Sequence, residues 1–264
     1  MKRIIFLFVL LLPLHGLAAE RILALSPHAC EILYAIGAGS EAVGAVDYCD
    51  YPETAKRLPR VGTYDRIHAE AAMALHPTMA VALNDRTPGI AALRRLGVRI
   101  VISRPETVRG VFDDIERLGR LTGHAAAAAK LADSLRGRLK QLEADRPALP
   151  PKVFYELWPE PLMTLGGKGF MQDVLVEAGA RNVFAGLPME NARVSIESVM
   201  RAQPSIIIVP AGTRDVEARR QFWRHWLGDG IRIVTVDPDL LQRPGPRLVD
   251  GIVQLRRAVA GAAK

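Results

Sequence analysis

The 264-residue chain carries 35 lysine and arginine side chains against 28 acidic ones, a formal net charge of +7, and only 6% of its residues are aromatic. Its arginines are scattered over prospective helix faces (Arg94, Arg120, Arg136 and Arg219 among them) with no aromatic-interleaved basic block, which argues against a nucleic-acid-binding protein. Two cysteines, Cys30 and Cys49, with no CxxC and no clustered Cys/His spacing, argue against a zinc site.

Residues 1–19 read as a secretory signal peptide. Lys2 and Arg3 precede an apolar run over 4–14 broken only by Pro13, and Gly16-Leu17-Ala18-Ala19 supplies small residues for cleavage after Ala18 or Ala19. The run is shorter than the roughly 20 residues that span a bilayer, and no cysteine marks a lipid anchor. Export as a soluble chain is the expectation. What remains is long enough for two lobes of ordinary size.

The first expected strand, 21–25, stops at Ser26-Pro27, where Ser26 would cap a helix over 27–36 that ends at Gly37 and Gly39. A strand over 42–46 leads into the loop Asp47-Tyr-Cys-Asp-Tyr-Pro52. Further helices are expected over 68–75, 88–96 and 105–121, alternating with strands over 79–83 and 98–103. This β-α alternation is the pattern of a parallel sheet covered on both faces. Residues 124–146 are rich in alanine and straight-chain residues, carry leucines at 131, 135, 139 and 142, and precede the proline-rich 147–151. They form the longest expected helix and suit a connector between lobes.

The second lobe begins with 153–157, and Leu162-Met-Thr-Leu165 precedes Gly166-Gly-Lys-Gly169, which lacks the GK[ST] of a phosphate loop and reads as a tight turn. Helices over 170–178, 196–202, 215–227 and 245–260 alternate with strands over 205–210 and 231–237, and 238–246 is a connector. The expected division is therefore 1–19 signal peptide, 20–122 first α/β lobe, 123–147 connecting helix and 148–264 second α/β lobe.

One pattern occurs twice. Arg66-Ile-His-Ala-Glu-Ala-Ala-Met-Ala-Leu-His-Pro77 and Arg193-Val-Ser-Ile-Glu-Ser-Val-Met-Arg-Ala-Gln-Pro204 share R-[IV]-x-x-E-x-x-M-x-x-x-P at a constant offset, and each runs into an apolar strand. The repeat predicts two similar lobes with Glu70 and Glu197 in the first turn of equivalent helices.

In sheets of this kind ligands bind beyond the carboxyl ends of the strands. The segments there are 26–28, 47–51, 62–66, 83–86, 158–163 and 239–243, and they carry Tyr48, Tyr51, Tyr64 and Trp158 with His28, Asn84, Asp239 and Arg243 as polar points. Aromatic walls with a few hydrogen-bonding groups suit a large, partly apolar ligand. Catalysis is not indicated: there is no G-x-S-x-G, and two glutamates on separate lobes make no acid/base couple. Cys30 and Cys49 read either as a disulfide or as two buried thiols, and spacing does not decide between them.

The stretches SPHACEILYAIGAGSEAVGAVDYCDYP, YELWPEPLMTLGG and DPDLLQRPGPR, with the two-glutamate repeat, together resemble periplasmic binding proteins of the helical-backbone class, and most of all the cobalamin-binding proteins of ABC importers. The resemblance implies two Rossmann-like lobes joined by one long helix, with the ligand cleft between them. It implies that Tyr48, Tyr64, Asp239 and Arg243 line the corrinoid site, to which the strand-end segments add Asp50, Trp158 and Met163, and that Glu70 and Glu197 dock onto a dimeric permease in the inner membrane. A monomer with no catalytic residue, no bound metal and no cofactor is implied, the corrinoid being cargo. Leu83 and Leu240 stand where some cobalamin binders carry aromatic residues. Related members bind ferric siderophores or haem, the alternative cargo, and an exported hydrolase with an interlobe cleft is the alternative from another class.

Overall fold

Short runs of Ile, Val, Leu and Ala, too apolar to alternate, become parallel strands, fully buried over 22–25, 79–82 and 206–210, in the computed structural model, which describes residues 20–63, 65–213 and 215–261. The signal-peptide segment and Tyr64 lie outside the described residues. The first lobe runs Ile22–Leu25 (β1), Pro27–Ala35 (α1), Ala42–Ala45 (β2), Ala69–Met73 (α2), Met79–Ala82 (β3), Ile90–Arg95 (α3), Arg99–Ile102 (β4) and Val108–Leu121 (α4). Its strands form one parallel sheet in the order β2-β1-β3-β4.

Ala125–Ala144 (α5) follows, 20 residues and so about 30 Å long. It buries Ala128, Ala132, Leu135 and Leu139, while Leu131 and Leu142 are only partly covered, so the buried stripe is rotated toward the alanines. The small residues let α5 lie close on α4: a Cβ on Gly119 would sit 2.2 Å from that of Ala128.

The second lobe contains Lys152–Pro159 (β5), Leu162–Leu165 (β6), Phe170–Glu177 (α6), Arg181–Asn182 (β7), Asn191–Arg193 (β8), Ile196–Ala202 (α7), Ile206–Pro210 (β9), Val216–Leu227 (α8), Arg232–Val236 (β10), Pro238–Leu241 (α9) and Leu248–Ala260 (α10). β10, β9 and β5 are parallel, as expected. Trp158-Pro-Glu-Pro161 then turns the chain back, so β5 and β6 form an antiparallel hairpin and β8 extends it, making this sheet mixed. The connector 238–246 also begins with a helical turn: Asp237 accepts from the Asp239 amide at 2.9 Å, and Pro238 occupies the first turn.

One apolar cluster runs through both lobes, joining Ile22, Ile32 and Phe112 to Leu135 and Leu139 of α5 and on to Val174, Ile206, Ile252 and Leu255. Polar contacts reinforce this seam. Asp173 on α6 accepts the Val108 amide at the start of α4 (2.7 Å), and Arg138 on α5 pairs with Asp250 on α10.

A candidate ligand-binding cleft between the lobes

The carboxyl ends of β3 and β4 deliver Leu83, Asn84, Arg86 and Thr87, and Arg104, Pro105 and Glu106, to one wall of a cleft. Phe170, Glu190, Gln242 and Pro244 of the second lobe form the facing wall, with Asp65 at the edge, around a cavity of about 630 Å³. That volume lies within the roughly 300–1,000 Å³ of small-molecule sites. Asn84 shapes its rim by accepting the amides of Arg86 (2.8 Å) and Thr87 (3.0 Å).

The glycine cluster has a more specific use than a tight turn. A Cβ on Gly166 would lie 2.1 Å from the Met189 carbonyl and one on Gly167 1.9 Å from that of Ala185, because backbone packs directly on backbone here. Amide bonds from Gly166 to Glu190 and from Gly167 to Leu187, both 2.8 Å, hold that second strand of chain in place. Glu190 is thereby set in the wall, where it meets Arg104 of the first lobe at 3.0 Å. Both partners are half-exposed, so this pair bridges the cleft but adds little stability.

Beside the cavity the lobes are tied by a buried ionic cluster. Glu31 on α1 is 3% exposed and accepts from Arg247 Nε (2.9 Å) and Nη2 (2.6 Å) and from Arg243 Nη1 (3.3 Å). Arg243 also reaches Asp50 at 2.6 Å and Asp239 at 2.8 Å. The Arg247 guanidinium stacks 4.1 Å above the Tyr51 ring. Burial opposes the charge on Arg243, but the bond to Asp50 and the Asp239, Asp50 and Glu31 charges outweigh it and raise its pKa further. The same bond holds the Asp50 carboxyl below its usual value, and the bond to Glu31 raises Arg247.

Asp50, Asp239 and Arg243, expected at the ligand site, thus meet in this cluster. Tyr48 stands two residues from Asp50, 64% exposed and with φ of 63°, a left-handed conformation uncommon for an aromatic residue. Trp158 and Met163 lie on the β5–β6 hairpin as register partners, and the Trp158 indole donates to the Glu160 carbonyl at 3.0 Å. None of these six residues lines the cavity, whereas Gln242 and Pro244 on either side of Arg243 do.

His28 does not present its ring to the cleft. It is 3% exposed, and its Nε2 lies 2.9 Å from both the carbonyl and the hydroxyl of Ser103. Burial lowers its pKa to about 4. Ser26 occupies the N-cap position of α1 but makes no side-chain capping bond. Glu70 and Glu197 each occupy the second position of a short exposed helix, α2 and α7, leading into β3 and β9. Ser195, capping α7, also holds the Glu197 carboxyl below its usual range.

Sequence reasoning missed Glu31, Arg247, Arg104, Glu106, Phe170 and Glu190. For Arg104 and Glu106 the signal was available, since they follow β4 as Leu83 follows β3. For Glu31 the signal was an acid inside an otherwise apolar helix, which burial obliges to find a partner.

A family model described as periplasmic binding protein matches residues 22–222. Over 246 residues the chain is 32% identical to the vitamin B12-binding protein of Photorhabdus laumondii, covering 91% of this chain and 89% of that one. A vitamin B12-binding protein of Vibrio cholerae is likewise 32% identical, over 90% of this chain and 88% of its own. Among solved structures, the periplasmic vitamin B12-binding protein BtuF of Vibrio cholerae superposes with a TM-score of 0.83 at 31% identity, covering 93% of this chain and 98% of that one. The periplasmic haem-binding protein RhuT from a Roseiflexus species gives 0.82 at 25% identity, over 94% and 100%. Two α/β lobes about a common seam, an interlobe cleft and likeness over nine-tenths of the chain together place this protein in the periplasmic binding protein family.

Proposed function

We propose that the chain is exported to the periplasm and there captures cobalamin or a related corrinoid between its lobes for delivery to an inner-membrane ABC importer. The observation that carries the ligand is the end-to-end similarity, at 32% identity, to proteins named for binding vitamin B12. The mechanism is capture without chemistry. The cleft of about 630 Å³ takes the ligand, and Tyr48 with the Asp50–Arg243–Asp239 cluster supplies an aromatic face and polar groups beside it. Tyr64, Trp158 and Met163 complete the proposed contact set.

Glu70 and Glu197, one per lobe on matching helices, are the proposed docking points for two permease subunits. The protein acts as a monomer and uses no cofactor. The continuous apolar seam through α4, α5, α6 and α10 favours small lobe movements on binding, so recognition of the loaded form falls to the docking surface.

Haem is the second reading, favoured by the likeness to RhuT. Haem iron takes a histidine, cysteine, methionine or tyrosine ligand. His28 is enclosed, whereas Tyr48 is exposed and offers a phenol of the kind that reading needs. Protein incubated separately with cyanocobalamin, haemin and a ferric siderophore, then passed through a desalting column, should retain the corrinoid spectrum. Retention of haemin or the siderophore in its place would overturn the corrinoid reading.

A further inference from the structure

Cys30 and Cys49 each precede an acidic partner of Arg243: Cys30 adjoins Glu31 on α1, and Cys49 adjoins Asp50 in the loop after β2. Both side chains are wholly buried. The Cys49 Sγ lies 3.8 Å from the Ser26 carbonyl, the same carbonyl that accepts the Cys30 backbone amide at 3.2 Å. Both are free thiols in the structure, and the interaction with Cys30, together with burial, raises the Cys49 pKa.

We propose that Cys30 and Cys49 are joined by a disulfide in the exported protein, and that this bond pins the Asp47–Tyr51 loop to α1 so that Asp50 and Glu31 stay together on Arg243. In the oxidising compartment two buried cysteines beside the same carbonyl are candidates for such a bond. The oxidant is a disulfide of the exported thiol-oxidoreductase class. Each protein thiol gives up one electron and one proton, the oxidant's S–S bond breaks to two thiols, and the protein's S–S bond forms. Thiolate is the attacking species, and burial disfavours it in the folded chain, so the bond forms before the loop closes over α1.

The inference rests on export, which is part of the function proposed above, but not on the identity of the cargo. The full chain is exported to the periplasm of a Gram-negative host, purified without reductant, and alkylated with iodoacetamide in guanidinium. Mass spectrometry is expected to find neither cysteine labelled, both labelled after reduction, and one non-reduced peptide spanning both. Free labelling of both cysteines without reductant would overturn the bond. If the chain is not exported, the same measurement after refolding in a glutathione redox buffer decides the bond separately. Hydrogen exchange then tests the pinning: reduction should speed exchange of the Asp47–Tyr51 amides about tenfold while leaving β9 unchanged. Equal exchange in oxidised and reduced protein would overturn that role.

Discussion

Replacing Glu31 with glutamine removes one negative charge from the centre of the cluster while keeping its shape. The wild-type carboxylate is 2% exposed at its side chain and faces two guanidiniums, Arg243 at 10% and Arg247 at 21% exposure. Breaking a buried pair by removing one partner costs about 3–5 kcal/mol, because the remaining charge is left desolvated. Here the loss is moderated on one side, since Arg243 keeps Asp50 and Asp239. Among the described residues Arg247 keeps only its stacking on Tyr51, so it carries most of the penalty. The expected destabilisation is about 2–3 kcal/mol, at or below the low end of that range. For a chain of this size that lowers Tm by roughly 5–10 °C. Glu53→Gln is the control: its bridge to Lys56 is 83% exposed at the glutamate, and surface changes of this kind stay within about 0.5 kcal/mol. Thermal unfolding of the three proteins under identical conditions decides the matter. A Glu31→Gln shift no larger than that of Glu53→Gln would refute the reasoning that the cluster holds the lobes together.

His28 predicts a pH dependence. It stays neutral in the folded chain down to about pH 4, whereas the unfolded chain binds a proton below pH 6.5, so stability falls as pH drops through that window. The full effect is about 3 kcal/mol, read by guanidinium melts at several pH values, and His28→Gln should flatten it. An unchanged slope in the variant would contradict the assignment. Asp50 acts in the same direction at lower pH: its contribution is present above the ordinary carboxylate pKa and fades as pH falls through the depressed folded value. An NMR titration of its carboxyl carbon should show a midpoint below the ordinary aspartate value. For the docking role, Glu70→Ala with Glu197→Ala should leave ligand affinity within about twofold while import fails, both side chains being exposed and away from the cavity walls. Loss of binding with docking intact would reverse that role.

Local signals carried much of the architecture. The repeated R-[IV]-x-x-E-x-x-M-x-x-x-P reappears as α2–β3 and α7–β9, and the alanine-rich run became the 20-residue α5. What was illegible depended on distant partners. Nothing local to Glu31 names Arg247, which lies 216 residues away. The three-residue β8 is too short for periodicity and exists because β6 offers it an edge. The start of α9 was legible, since Asp237-Pro238 carries a signal like that at Ser26-Pro27, but the surrounding prolines and glycine read as a connector. Helix α4 starts later than Pro105 because Thr107 caps it, accepting the Gly110 amide at 2.9 Å. The strand-end rule found Asp65, Leu83, Asn84, Arg86 and Gln242 on the cleft walls, whereas the segments 26–28, 47–51 and 158–163 do not line the cavity, and the omission of the segment after β4 hid Arg104 and Glu106.

Isothermal titration of the purified chain with cyanocobalamin tests the central claim most directly. The account predicts a saturable 1:1 isotherm with heat that is retained in the Glu70→Ala, Glu197→Ala protein and weakened when Arg243 is replaced by alanine. A flat trace with correctly folded protein would contradict it.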